Sequence, residues 1–143
     1  MIEIAGLSFR YPGGSFVLDI PDFRAAPGEK LAVIGPSGSG KTTLMNLIAG
    51  IAAPDAGSVQ VGDTRVSELD DRRRRDFRIR NLGLVFQDFE LLDYLNVLDN
   101  ILLPYRITRA LRLDAGVRKR AVALAESLGI ADKLRRHAND LSQ

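Results

Sequence analysis

The sequence predicts an α/β fold in which a short antiparallel sheet, a glycine-rich loop and a helical segment follow one another. Three observations carry this. The apolar run Leu31-Ala32-Val33-Ile34 leads straight into Gly35-Pro36-Ser37-Gly38-Ser39-Gly40-Lys41-Thr42, and Leu44, Leu47, Ile48 and Ile51 then recur at helical spacing. Upstream of the loop, apolar residues alternate at period two, as in strands. Downstream of Gln87 the pattern changes to capped helices.

The loop fits G-x-x-x-x-G-K-[ST], the phosphate-binding pattern. Its glycines let the backbone curl so that several N–H groups converge as an anion nest. The helix that follows turns its unpaired N–H groups and its positive dipole end toward the same place. Lys41 would reach the outer phosphates of a nucleotide, and the Thr42 hydroxyl would hold Mg²⁺. A buried strand before the loop and a one-faced helix after it are the context this chemistry requires.

Taken in order, residues 1–34 read as strands. Ile2 and Ile4, then Leu7, Phe9 and Tyr11, follow period two, and Pro12-Gly13-Gly14 makes a turn. Phe16 to Ile20 is a second strand. Pro27-Gly28 suits the centre of a type II turn that returns the chain into a strand at 31–34. Gly50 ends the loop helix in the left-handed position. Pro54 to Gly57 is a turn, Ser58 to Val61 a short strand, and Gly62-Asp63 a further turn. Asp70 and Asp71 precede the four arginines at 72–75, the order a helix dipole favours. That arginine run reads as a solvated helix face rather than a nucleic-acid or lipid patch.

Leu82 to Phe86 reads as a buried strand ending at Gln87, followed by a loop through Leu95. Asn96 caps a helix to about 102 with Asp99 as capping-box partner, and Pro104 limits it. Asp114 caps a helix over 114–128 whose buried face is Val117, Ala121, Leu124, Ala125 and Leu128, with Gly129 as the stop. Ile130 to His137 is one more short helix.

Composition bounds the rest. A chain of 143 residues suffices for one domain with a core. No apolar run reaches the roughly 18 residues needed to span a bilayer. Met1-Ile2-Glu3-Ile4 lacks the basic and apolar regions of a signal peptide. The absence of cysteine excludes disulfides and cysteine–zinc sites and fits a cytosolic protein. A formal net charge of +2 does not argue for nucleic acid as a partner.

Several spaced motifs together make the sequence resemble the ATP-binding subunit of an ABC transporter, over the first part of that domain. They are Gly35 to Thr42 with Thr43 after it, Tyr11 upstream, Pro54, Gly57 and Gly62 after the loop helix, and Val85-Phe86-Gln87. The run from Phe89-Glu90-Leu91-Leu92 to Asn100-Ile101 looks most like the exporter branch of lipoprotein-release, cell-division and macrolide-efflux ATPases. The resemblance implies an α/β P-loop NTPase core of ABC type, incomplete, with an antiparallel β subdomain (1–87) and the start of a helical subdomain (88–143). It implies ATP and Mg²⁺ as cofactors, with Gly35, Pro36, Ser37, Gly38, Ser39, Gly40, Lys41, Thr42 and Thr43 around the phosphates. Tyr11 would stack on adenine. Lys41 and Gln87 would be catalytic, and Thr42 and Gln87 would meet the metal. The implied partners are a second ATP-binding subunit, in a homodimer or heterodimer, and a transmembrane permease subunit, with no nucleic acid. The implied location is cytoplasmic, peripheral on the inner face of the cell membrane. Phe89, Leu91, Leu92, Tyr94 and Leu95 would then form a groove for a short helix of the permease.

Leu141-Ser142 resembles the opening of the family's Leu-Ser-Gly-Gly-Gln signature, from which Gln143 departs. The family's catalytic glutamate and switch histidine lie beyond residue 143, so His137 is expected to be a surface residue and the 143 residues to bind ATP without turning it over. Two other functions stay open on the residues alone. One is a soluble P-loop ATPase acting on nucleic acid or in translation. The other is an inert nucleotide-binding fragment.

Overall fold

The structure, a computed structural model, describes residues 1–86 and 91–141. The chain divides into two compact units, Met1–Leu82 and Gly83–Gln143.

In the first unit, β1 (Ile2–Arg10) and β2 (Val17–Ala25) form an antiparallel hairpin, and β3 (Ala56–Val61) pairs antiparallel on the other side of β1. A two-residue β4 (Thr64–Arg65) extends the sheet to the order β2-β1-β3-β4. β2 runs five residues past its expected end, through Pro21. The proline is accommodated because β2 is an edge strand, where a missing donor need not break a ladder. The register against β3 shifts between Ala5 and Ser8. This bulge lets Ile4 and then Leu7 and Phe9 face the same core although their positions change parity. Gly57 lies opposite with φ of +81°, and a Cβ there would stand 2.3 Å from the Gly6 carbonyl oxygen, so only glycine fits.

The sheet buries Ile4, Leu7, Phe9 and Val59 against Leu44 and Leu47 of α1 (Lys41–Ile48), Val66, and Phe77 of α2 (Asp71–Asn81). Within α1 the expected stripe is narrower than its spacing suggests: Ile48 is half-buried and Ile51 is exposed. Asp70 caps α2 through Oδ1, which accepts from the Arg73 N–H at 2.7 Å. The arginine run lies on this helix with Arg73, Arg74 and Arg75 in ion pairs to Asp70 and Asp71; Arg73 and Arg75 are solvated as expected, while the Arg74 side chain is covered, packed on Gly50.

The expected strand at 31–34 does not form. Leu31, Val33 and Ile34 are 51%, 45% and 90% exposed, and no described strand pairs with them. The expected strand at 82–86 is likewise absent, with Val85 98% and Phe86 53% exposed. A strand is stable only where its backbone groups find a partner, and apolar sequence does not supply one.

In the second unit, α3 (Val97–Ile107) is capped by Asn96, whose Oδ1 accepts from the Asp99 N–H at 2.8 Å. Asp99 answers through the Asn96 side-chain amide rather than its backbone N–H. The helix passes through Pro104 instead of stopping before it. Proline removes one intrahelical bond, and the last turn is kept by Tyr105 packing on the Leu102, Val117 and Ala121 cluster. α4 (Ala115–Ser127) is capped by Asp114 as expected. Its buried face is Val117, Ala121 and Ala125 alone, because Leu124 and Leu128 find no cover and stay 56% and 65% exposed. The expected helix at 130–137 is replaced by short 3₁₀ turns at Ala131–Lys133 and Ala138–Asp140. His137 is exposed, as expected. Of the expected permease groove, Phe89 lies outside the described residues, while Leu91 and Tyr94 are 49% and 74% exposed.

Candidate nucleotide-binding site

The loop turns at Pro36 to Ser39, where the Ser39 N–H donates to the Pro36 carbonyl at 3.3 Å. Gly40 then takes φ of +93°, a left-handed conformation, as the residue preceding α1. It offers no side chain to cap the helix, so the first amides of α1 keep no side-chain acceptor. Such a helix start is suited to an anion. Lys41 bends back over the loop, its Nζ donating to the Gly35 carbonyl at 2.9 Å and the Pro36 carbonyl at 2.7 Å. The ammonium therefore closes back on the start of the loop.

The glycine at 40 has a second use. A Cβ there would come within 2.8 Å of Phe16 Cζ and 3.1 Å of Leu18 Cδ1. The start of β2 thus packs directly on the start of α1. Phe16 was not legible as a site residue: a single apolar residue at a strand end carries no such signal.

Tyr11 follows β1 and is 41% exposed. Its ring stands edge-on to Phe9 at 4.8 Å and tilted against Phe16 at 6.4 Å. Its hydroxyl shares a 3.2 Å hydrogen bond with Thr43 Oγ1, where either oxygen can donate. Thr43 is buried, with its hydroxyl turned to Tyr11 rather than to the loop. Thr42 is exposed beside Lys41. The structure therefore brings together Tyr11, Gly35 to Thr42 and Thr43 in one unit. Gln87 lies outside the described residues. A shallow cleft of about 500 Å³ lined by Ser8, Arg10, Tyr11, Pro12, Gly13 and Asp55 adjoins Tyr11 but includes no loop residue.

No group of three or more His, Asp or Glu side chains among the described residues could hold a metal unaided. A hard oxygen donor such as Thr42 suits Mg²⁺, which keeps several waters and is completed by substrate phosphates. The residues present thus fit a metal that arrives with a nucleotide. No described helix is long and apolar enough to cross a membrane.

An antiparallel sheet beside a G-x-x-x-x-G-K-T loop that opens a helix is the architecture of an ATP-binding cassette, and the chain has that fold in part. The family model described as ABC transporter matches residues 18–143, and the chain belongs to that family. It is 38% identical to an uncharacterized ABC transporter ATP-binding protein of Mycobacterium tuberculosis, across 99% of this chain and 58% of the relative. It is 40% identical to the lipoprotein-releasing system ATP-binding protein LolD of Pseudomonas fluorescens, across 99% of this chain and 65% of the relative. Among solved structures it resembles a dimeric ATP-binding cassette in a post-hydrolysis state bound to ADP and Pi. That likeness has a TM-score of 0.82 at 28% identity and covers 99% of this chain and 63% of the other. The chain thus spans roughly three-fifths of the length of the relatives it matches.

Proposed function

We propose that this chain is the nucleotide-binding part of an ATP-binding subunit that drives transport through a membrane partner. The observation that carries the reading is Lys41 Nζ held over the Gly35 and Pro36 carbonyls, next to the uncapped start of α1. Residues Gly35 to Thr42 cradle the phosphates, Thr43 holds Tyr11 from behind the loop, and Tyr11 stacks on the base. Lys41 stabilises charge on the transferred phosphoryl group. Thr42 and Gln87 hold Mg²⁺, which when bound neutralises phosphate charge. The core occupies 1–87 and a helical subdomain 88–143. Two subunits act as a dimer at the inner face of the membrane, each engaging a permease through the stretch around Leu91 and Tyr94. The lipoprotein-releasing relatives favour the exporter branch, with substrate chosen by the permease.

Calorimetric titration with Mg·ATP tests the reading. Lys41→Ala is expected to weaken binding by at least about tenfold, since a charge-assisted contact is lost and phosphate charge is left uncompensated. Equal affinity in variant and parent would overturn it.

A further inference from the structure

We propose that Arg78 is a positioning residue for the phosphate loop: it anchors the far end of α1 by a charged contact to the Gly50 carbonyl. This rests on the nucleotide reading above. α1 has eight residues, so it spans only about 12 Å, and a tilt at one end displaces the other. At its C-terminus the Gly50 N–H donates to Leu47 O at 3.1 Å and the Ile51 N–H to Asn46 O at 2.8 Å. These bonds use the last N–H groups and leave the Gly50 carbonyl facing α2. Arg78 Nη1 donates to that carbonyl at 2.6 Å. Arg74, one turn earlier on α2, lays its stem on the same residue: a Cβ at Gly50 would meet its Cγ and Cδ at 3.3 Å.

The Arg78 guanidinium thus stands at the negative end of the loop helix, where it complements the dipole, with the Arg74 stem packed beside it. Burial lowers the Arg78 pKa, Asp71 opposes that shift, and Arg74 and Arg75 reinforce it. A guanidinium stays charged throughout. The arginines of α2 therefore divide. Arg73 and Arg75 pair with aspartates at the solvated surface, with side chains 74% and 58% exposed, while Arg78 reaches across 28 positions of sequence to α1. The opposite end of α1 is fixed by Phe16 and Leu18 against Gly40 and by Tyr11 on Thr43. With both ends held, Lys41 and the loop amides keep one orientation, and small misplacements at such sites are costly.

The test uses the 143-residue chain, Mg·ATP calorimetry and five variants, Lys41→Ala among them. Arg78→Ala is expected to weaken ATP binding by about tenfold, the scale of one charged hydrogen bond. Arg78→Lys, which keeps charge and donor, should stay close to the parent, and Arg78→Gln, which keeps only a donor, should fall between. Arg73→Ala is the surface control and should match the parent. A folded Arg78→Ala with parental affinity would overturn the proposal. Should Arg78→Ala not fold, Lys and Gln variants of equal affinity would overturn it, and a weaker Gln variant would support it. If Lys41→Ala loses ATP while Arg78→Ala does not, only the role of Arg78 fails. No binding by the parent overturns both readings.

Discussion

β1 and the segment Leu31 to Ile34 are both apolar and both precede a turn, yet one is a strand and the other is not. β1 alternates core and solvent residues and finds antiparallel neighbours on both sides, β2 within a hairpin and β3 some fifty residues on. Leu31-Ala32-Val33-Ile34 is continuous, the pattern of a strand buried on both faces of a parallel sheet. Parallel pairing needs a crossover partner, and no described strand supplies one. Leu82 to Phe86 behaves the same way. Apolar sequence states what a segment would bury, while pairing decides whether it is a strand. The consequence for function is direct. Among the described residues the contacts that hold the start of α1 come from Phe16 and Leu18 on Gly40 and from Tyr11 on Thr43.

The largest expected contrast is in stability. Leu7 in β1 is 1% exposed, so Leu7→Ala should cost about 2–5 kcal/mol by transfer and cavity terms. Ile34→Ser, at a residue 90% exposed, should stay within about 0.5 kcal/mol. Urea denaturation of both variants checks this, and equal losses would mean that 31–34 is buried after all.

A smaller effect is expected where the paired sheet meets the loop. Tyr11 follows β1 and is tied to α1 through Thr43. Tyr11→Ala should weaken ATP and GTP binding alike by about 1–3 kcal/mol, because stacking barely discriminates among bases. Tyr11→Trp, which keeps a stacking face but loses the hydroxyl bond to Thr43, should fall between Ala and the parent. Fluorescence titration with the two nucleotides separates stacking from the Thr43 tie alone, for which Ala and Trp would lose affinity equally.

The smallest effect belongs to a helix cap made within three residues. Asp114 Oδ1 accepts from the Val117 N–H at 2.9 Å at the start of α4. Asp114→Ala should cost about 1 kcal/mol, read as a lower thermal midpoint with nucleotide affinity unchanged. A change in affinity would show that this cap matters to the loop.

These cases also explain what was legible in the sequence. The caps at Asn96 and Asp114 and the stops at Gly50 and Gly129 were readable because each is satisfied within a few residues. The bulge in β1 was written in the parity change from Ile4 to Leu7, though a two-period reading passes over it. The loop itself was legible as a spacing of glycines and Lys41. Phe16 and Arg78 were not, because each acts across a long sequence separation on a residue with no side chain. Leu124 and Leu128 lie on the right helical stripe, but a stripe does not say how much of it is covered.

In this chain the phosphate loop is held from α1 and from the start of β2. Mg·ATP affinities of Phe16→Ala and Val33→Ser, measured side by side, put this to the test. Phe16→Ala should bind several-fold more weakly, having lost the packing on Gly40, while Val33→Ser, in the unpaired segment, should bind as the parent does. The reverse order, with Val33→Ser impaired and Phe16→Ala normal, would contradict it.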